Sequence, residues 1–243
     1  MQYSVIRGLI RKELWEIRRD ILACLPIVAL CCMLPAMYGF AIGARLDLAA
    51  RHPDVPIMHV AFFFRASFVV AMLGVLGISY SGAYAVVGER ERGTLETLLA
   101  SPATDAEIFL GKVTASVMIG VACMSLSAIV MTGVLLLVAH GASLSSLGIG
   151  ENWPLFIICL PLYLSAASVV CCISRYARSS RLAAGLSGTF VILALTPFIY
   201  FMNRIVTSSI ETKLLIVGLS FAVAGGCLAL GSRLFRAMRC SYS

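Results

Sequence analysis

Charge is what this sequence has least of. Of its 243 residues 13% are charged and 60% are hydrophobic, and the mean hydropathy is +0.96, whereas a soluble domain carries about 25% charged residues. A globule of this size in water would leave roughly a third of its chain's surface exposed. That much apolar surface calls for lipid as the solvent.

Histidine is scarce as well. His52, His59 and His140 lie in or beside the outer loops read below and have no metal-ligand spacing. Nine cysteines are present, eight of them inside apolar runs (Cys24, Cys31, Cys32, Cys123, Cys159, Cys171, Cys172, Cys227) and Cys240 in the tail. None falls in a polar loop where an extracytoplasmic disulfide could form, so they read as small hydrophobes. Adjacent pairs such as Cys31-Cys32 and Cys171-Cys172 point about 100° apart on a helix, a poor arrangement for chelation. A phosphate-binding loop is also lacking: Gly111-Lys112 is followed by Val113, and Ala106 stands where its first glycine would be. Gly185-Leu186-Ser187-Gly188 fits the Gly-x-Ser-Gly pattern of intramembrane serine proteases, but no histidine follows His140 to serve as base. Those small residues read instead as a close helix approach. Paired acidic residues within an apolar run, the mark of a proton relay, are not evident.

What is there is a series of apolar runs, each long enough for the about 20 residues that cross a bilayer. They fall at roughly 21–43, 61–87, 113–139, 154–174, 183–202 and 214–232. The expected fold is an all-α, polytopic membrane protein with six transmembrane helices in a single domain, residues 1–243. Pro26, Pro35, Pro161 and Pro197 fall inside spans and predict kinks. The first twenty residues carry five basic and three acidic side chains and no short apolar core with a cleavage site. The first run is therefore expected to remain as an anchor.

Lysine and arginine set the orientation. Arg7, Arg11, Lys12, Arg18, Arg19, Arg90, Arg92, Lys112, Arg175, Arg178, Arg181, Arg233, Arg236 and Arg239 fall on one side, fourteen of nineteen. Arg45, Arg51, Arg204 and Lys213 fall on the other, with Arg65 just inside the second span. This distribution predicts both termini in the cytoplasm, in agreement with an even span count. The net charge of +7 is then the ordinary basic face of a membrane protein and needs no nucleic acid.

Ile6, Ile10, Leu14, Ile17 and Ile21 share one helical face, with Arg7, Arg11 and Arg18 on another and Trp15 suited to the headgroup level. Residues 1–20 thus predict an interfacial helix. The one long cytoplasmic connection, residues 88–112, reads GERERGTLETLLASPATDAEIFLGK. Leu95, Leu98 and Leu99 form an apolar stripe, with Glu89, Arg92 and Glu96 on other faces. Ser101-Pro102 ends that short helix. Thr104 and Glu107 then form a capping box that starts a helix feeding the third span.

Glu91-Arg92-Gly93-Thr94-Leu95-Glu96, Leu98-Leu99-Ala100-Ser101-Pro102 and Gly111-Lys112 resemble the signature loop of type-two ABC transporter permeases, the membrane subunits of exporters. That family also has an amphipathic N-terminal helix with a Lys-Glu pair, matched by Lys12-Glu13, and six spans with both ends inside. The resemblance spans the topology, with about 25 specific residues. It implies a coupling helix seated in the cleft of a separate ABC ATPase, with Glu89, Glu91, Arg92 and Glu96 toward polar groups and Leu95 and Leu99 filling a groove, around Gly93, Thr94, Leu98 and Pro102. It implies a second permease subunit, identical or similar. It also implies a bacterial inner-membrane location, and ATP with Mg on the partner rather than any cofactor or catalytic group on this chain.

Gly218, Ala222 and Gly226 form a small-residue stripe that predicts helix packing. Arg65 either snorkels to the headgroups or contacts an anionic substrate group at the outer mouth. Serine and threonine dominate the midplane polar residues, a lining suited to an amphipathic cargo such as a drug, lipid or peptide. A secondary transporter and a non-transporting scaffold are the alternatives. The first would show intramembrane ionisable groups or an inverted repeat, and the second partner binding without stimulated ATP hydrolysis.

Overall fold

The computed structural model describes residues 7–13, 15, 21–51, 59–94, 103–138, 153–177, 179, 182–183, 185–189 and 210–236. Among these residues are five long helices: α1 (Ile21–Arg51), α2 (His59–Glu91), α3 (Asp105–Val138), α4 (Trp153–Tyr176) and α5 (Ile210–Arg236). The described residues contain no strand. Stretches within four of the helices are long and apolar enough to cross a membrane, at Leu25–Arg45, Val70–Glu91, Asp105–Val138 and Leu215–Leu234, and Cys159–Ser174 is a shorter apolar helix. The expected span at 183–202 and its Pro197 fall largely outside the described residues. There the chain is helical at 182–183 and 185–189, after Ser179 Oγ accepts from the Leu182 amide at 3.4 Å.

The capping box forms as the sequence predicts. Thr104 Oγ1 accepts from the Glu107 amide at 3.3 Å, and Glu107 Oε2 accepts from the Thr104 amide at 3.0 Å. From that start α3 runs unbroken for 34 residues, about 51 Å at 1.5 Å per residue. That exceeds the roughly 30 Å hydrocarbon thickness, which leaves length to spare for tilt or for turns outside the lipid core. Helix α1 likewise runs through both Pro26 and Pro35.

Helix α3 touches all four others, while α2 packs between α3 and α4. Lipid offers no hydrophobic force between helices, so close packing of backbones must hold them. Glycines permit it. A Cβ on Gly39 would lie 2.6 Å from the Met131 carbonyl oxygen, and one on Gly120 would lie 2.5 Å from Ile78. Gly74 stands where Tyr163 crosses from α4, and the Tyr163 hydroxyl donates to the Ala71 carbonyl at 2.7 Å. Tyr163 is fully buried in the main core cluster with Val75, Ile78, Phe109, Val113 and Val170. Removing that hydroxyl as Tyr163→Phe keeps the ring and leaves Ala71 its helical bond. The expected loss is about 1 kcal/mol, read as a small fall in the thermal-unfolding midpoint of the purified protein.

Among the described residues the small-residue stripe of α5 takes no part in this packing. Gly218, Ala222 and Gly226 are exposed, and a Cβ on either glycine meets nothing within 4 Å. The α5 glycine that does pack is Gly231, where a Cβ would come within 2.5 Å of the Phe109 ring. Spacing alone does not distinguish an inward from an outward stripe on an all-apolar helix.

Candidate functional site

At the end of the bundle where α2 stops and α3 begins, four charges meet. Lys112 lies two turns into α3 and is 1% exposed. Its Nζ is 2.7 Å from Glu13 Oε1 and 3.1 Å from Glu89 Oε2. Lys12 Nζ lies 2.8 Å from Glu89 Oε1. Glu13 and Glu89 are buried, and Lys12 reaches the edge with its side chain 39% exposed. Two lysines and two glutamates leave the cluster neutral. Burying any one of these charges alone costs several kcal/mol, which partners at this range offset.

The elements that deliver them are separate in sequence. Residues 7–13 are helical and turn Leu9 and Glu13, one turn apart, toward α3. Leu9 packs on the core cluster and against Gly111, where a Cβ would lie 3.1 Å from the leucine Cβ. Arg7, Arg11 and Trp15 point away, Trp15 being 61% exposed. The cluster therefore joins the N-terminal helix to the last turn of α2 and the second turn of α3. Those two turns flank the loop that begins at Thr94.

Gly93 sets the exit from α2. With φ +69° it occupies the left-handed region, and the Thr94 amide donates to the Glu89 carbonyl at 3.0 Å while the Gly93 amide donates to that of Arg90 at 3.2 Å. This is a Schellman termination. A side chain at Gly93 meets nothing within 4 Å, so substitution costs backbone strain alone. Gly93→Ala is expected to cost about 1 kcal/mol, seen as faster hydrogen exchange of the residue 93 and 94 amides, with Gly93→Asn affected less. Next to it, the Arg90 guanidinium donates to the Ala177 carbonyl just past α4, where a helix C-terminus favours a cation.

The sequence-derived site residues divide three ways. Lys12, Glu13 and Glu89 come together inside the cluster, so Glu89 faces inward instead of standing on the outer surface of the loop. Glu91, Arg92 and Thr94 are exposed at the exit of α2 beside Gly93, with Thr94 Oγ1 donating to the Glu89 carbonyl at 3.3 Å. Leu95, Glu96, Leu98, Leu99 and Pro102 lie outside the described residues, as does the Arg65 side chain. Lys112 is the member that sequence reasoning left out of the site. Its signal was present, a lone lysine directly before an apolar run, in a chain that also carries a Lys-Glu pair near its start.

Among the described residues no group of histidine, cysteine or carboxylate side chains could hold a metal ion. The four charges tie an N-terminal helix to the two ends of a loop, in a protein with membrane-length helices. No curated protein matches the chain. The family of ABC-2 transporter proteins matches residues 9–216, a range that includes Lys12, Glu13, Glu89 and Lys112. This multi-pass membrane protein therefore belongs to the ABC-2 family of transporter proteins.

Proposed function

We propose that the chain is the six-span permease subunit of an ATP-driven exporter in a bacterial inner membrane. In this reading it pairs with a second permease subunit and is driven by a separate ABC ATPase that binds ATP and Mg. Both termini and the loop after α2 lie in the cytoplasm, and the loop is the element the ATPase grips. The cargo is an amphipathic or hydrophobic molecule.

The observation that carries this reading is the Lys12–Glu89–Lys112–Glu13 joint. Because Glu89 and Lys112 flank the loop and both hold the N-terminal helix, a push on the loop is delivered to α2, α3 and that helix together. Glu91 and Arg92 are exposed at the loop's base, where a partner that grips the loop would reach them.

The test is a pull-down of the tagged full-length chain from its native membranes in mild detergent. A stoichiometric ATPase should accompany it and be lost when residues 93–101 become a flexible linker. Its absence, where other membrane complexes survive, would favour a secondary transporter or a scaffold. Within an intact complex, Glu96→Lys is expected to uncouple ATP hydrolysis from transport or to release the ATPase. Normal export by that variant would remove Glu96 from the contact.

A further inference from the structure

A pocket of about 160 Å³ opens between α1, α2 and the helical segment 185–189. Ile27 and Cys31 of α1, Ser79 and Tyr80 of α2, and Gly188 line it, together with three leucines. Nine residues separate Ser79 from Gly88, about 14 Å along the helix, so the pocket lies deep within the apolar part of the bundle.

One group in it is out of balance. Several helical serines donate to their own backbone, Ser81 to Ile78 at 3.2 Å, Ser165 to Leu162 at 2.8 Å and Ser168 to Leu164 at 2.7 Å, whereas Ser127 and Ser187, outside the pocket lining, share the condition of Ser79. Ser79 is 4% exposed, and its Oγ has no hydrogen-bond partner among the described residues. A buried hydroxyl left this way costs about 1–3 kcal/mol. Of the residues that line it only Ser79, Tyr80 and Cys31 carry a polar side-chain atom, and the exposed lining is almost wholly apolar, which leaves a buried water short of the two to four polar partners it needs. A phospholipid ester carbonyl resides near the interface, while Ser79 lies about half of the roughly 30 Å hydrocarbon thickness inside.

We propose that this pocket binds an uncharged, ring-sized molecule carrying one hydrogen-bond acceptor, which takes the Ser79 hydroxyl proton in a hydrogen bond. The size follows from the volume, since an apolar cavity of about 150 Å³ accepts a benzene ring. Charge is excluded by the lining, which has no counter-ion. The site exists in this chain whether or not a separate ATPase drives it, so its test and the pull-down fail independently.

The probes are cyclohexanone and methylenecyclohexane, which match in shape and differ in the acceptor. Thermal unfolding of the detergent-purified full-length chain is followed against the concentration of each. Cyclohexanone is expected to raise the midpoint saturably, at a concentration roughly fivefold lower than methylenecyclohexane, the ratio that one neutral hydrogen bond supplies. Ser79→Ala should erase that preference while still binding both rings. A Cβ at Gly188 meets nothing within 4 Å, so Gly188→Leu should fill the pocket without a clash and abolish the response to both. Ile27→Phe fills it from α1 and serves if the first variant does not fold. Equal responses in the wild type and a folded filled variant, or a ketone preference that survives Ser79→Ala, would overturn the proposal.

Discussion

Lys112→Met is expected to lower stability by about 3–5 kcal/mol, the cost of leaving buried charge without its partner. The lysine faces both Glu13 and Glu89, so its loss strands one carboxylate fully and leaves the other with the half-exposed Lys12 alone. For a chain of this length the effect is a fall of about 10 °C in the thermal midpoint. Lys12→Met should cost about 1 kcal/mol, because Lys12 is 39% exposed and water takes its place. Replacing Glu13 and Glu89 together with glutamine should make the chain much less sensitive to Lys112→Met, since no stranded anion then remains. Equal losses in the two lysine variants, or the same loss in the glutamine background, would mean that the cluster is not held by charge pairing. The N-terminal helix should detach first in Lys112→Met, seen as loss of hydrogen-exchange protection in residues 7–13.

The second large effect is expected from one added methyl group. A Cβ on Gly74 would overlap the Tyr163 hydroxyl and approach the Gly120 carbonyl oxygen to 2.8 Å. A tyrosine pinned by its bond to Ala71 has little room to yield, and backbone has less. Gly74→Ala must therefore part α2 from both α3 and α4, at about 3 kcal/mol or more, despite the gain of up to about 1 kcal/mol in helix propensity. The expected result is loss of monodisperse protein on detergent extraction. Gly185→Ala and Gly225→Ala are the controls, because a Cβ at either meets nothing within 4 Å. They should be neutral or slightly stabilising. If Gly74→Ala extracts as well as these two, the close packing of α2, α3 and α4 is not what holds the bundle.

The two effects share a cause. In lipid, apolar contact between helices displaces only other apolar contact, so the net hold comes from close backbones and satisfied polar groups. The Lys112 cluster supplies the second at the charged end of the bundle, and the Gly74–Tyr163–Gly120 crossing supplies the first in its middle. The loop between α2 and α3 is anchored by both: α2 and α3 meet at Gly74 and Gly120 and are tied again at Glu89 and Lys112. Movement at the loop therefore has rigid elements on either side to act on.

Much of this was legible in the sequence. Membrane class follows from composition alone, because so few charges cannot cover a soluble surface. Five of the six apolar runs fall on α1 to α5, with ends that agree to within about four residues except at the end of α1 and the start of α3, each of which extends eight residues further. The second apolar run ends at 87, whereas α2 continues to Glu91 before Gly93, in the left-handed region, stops it. The family, too, is carried by the loop's own residues.

Which face of each helix turns inward was decided by the tertiary structure alone. Glu89 reads from the sequence as one more charge on the loop's outer face, yet α2 continues far enough to bury it against two lysines, one 77 residues before it. Gly218, Ala222 and Gly226 read as a packing seam and face outward, while Gly74 and Gly120, unremarkable in the sequence, make the closest approach. The physical reason is that periodicity reports a helix's inner face by contrasting polar with apolar sides. In lipid both sides are apolar, so the contrast vanishes, and only the fitted shapes of neighbouring helices and the pairing of a few distant charges determine the rotation of each.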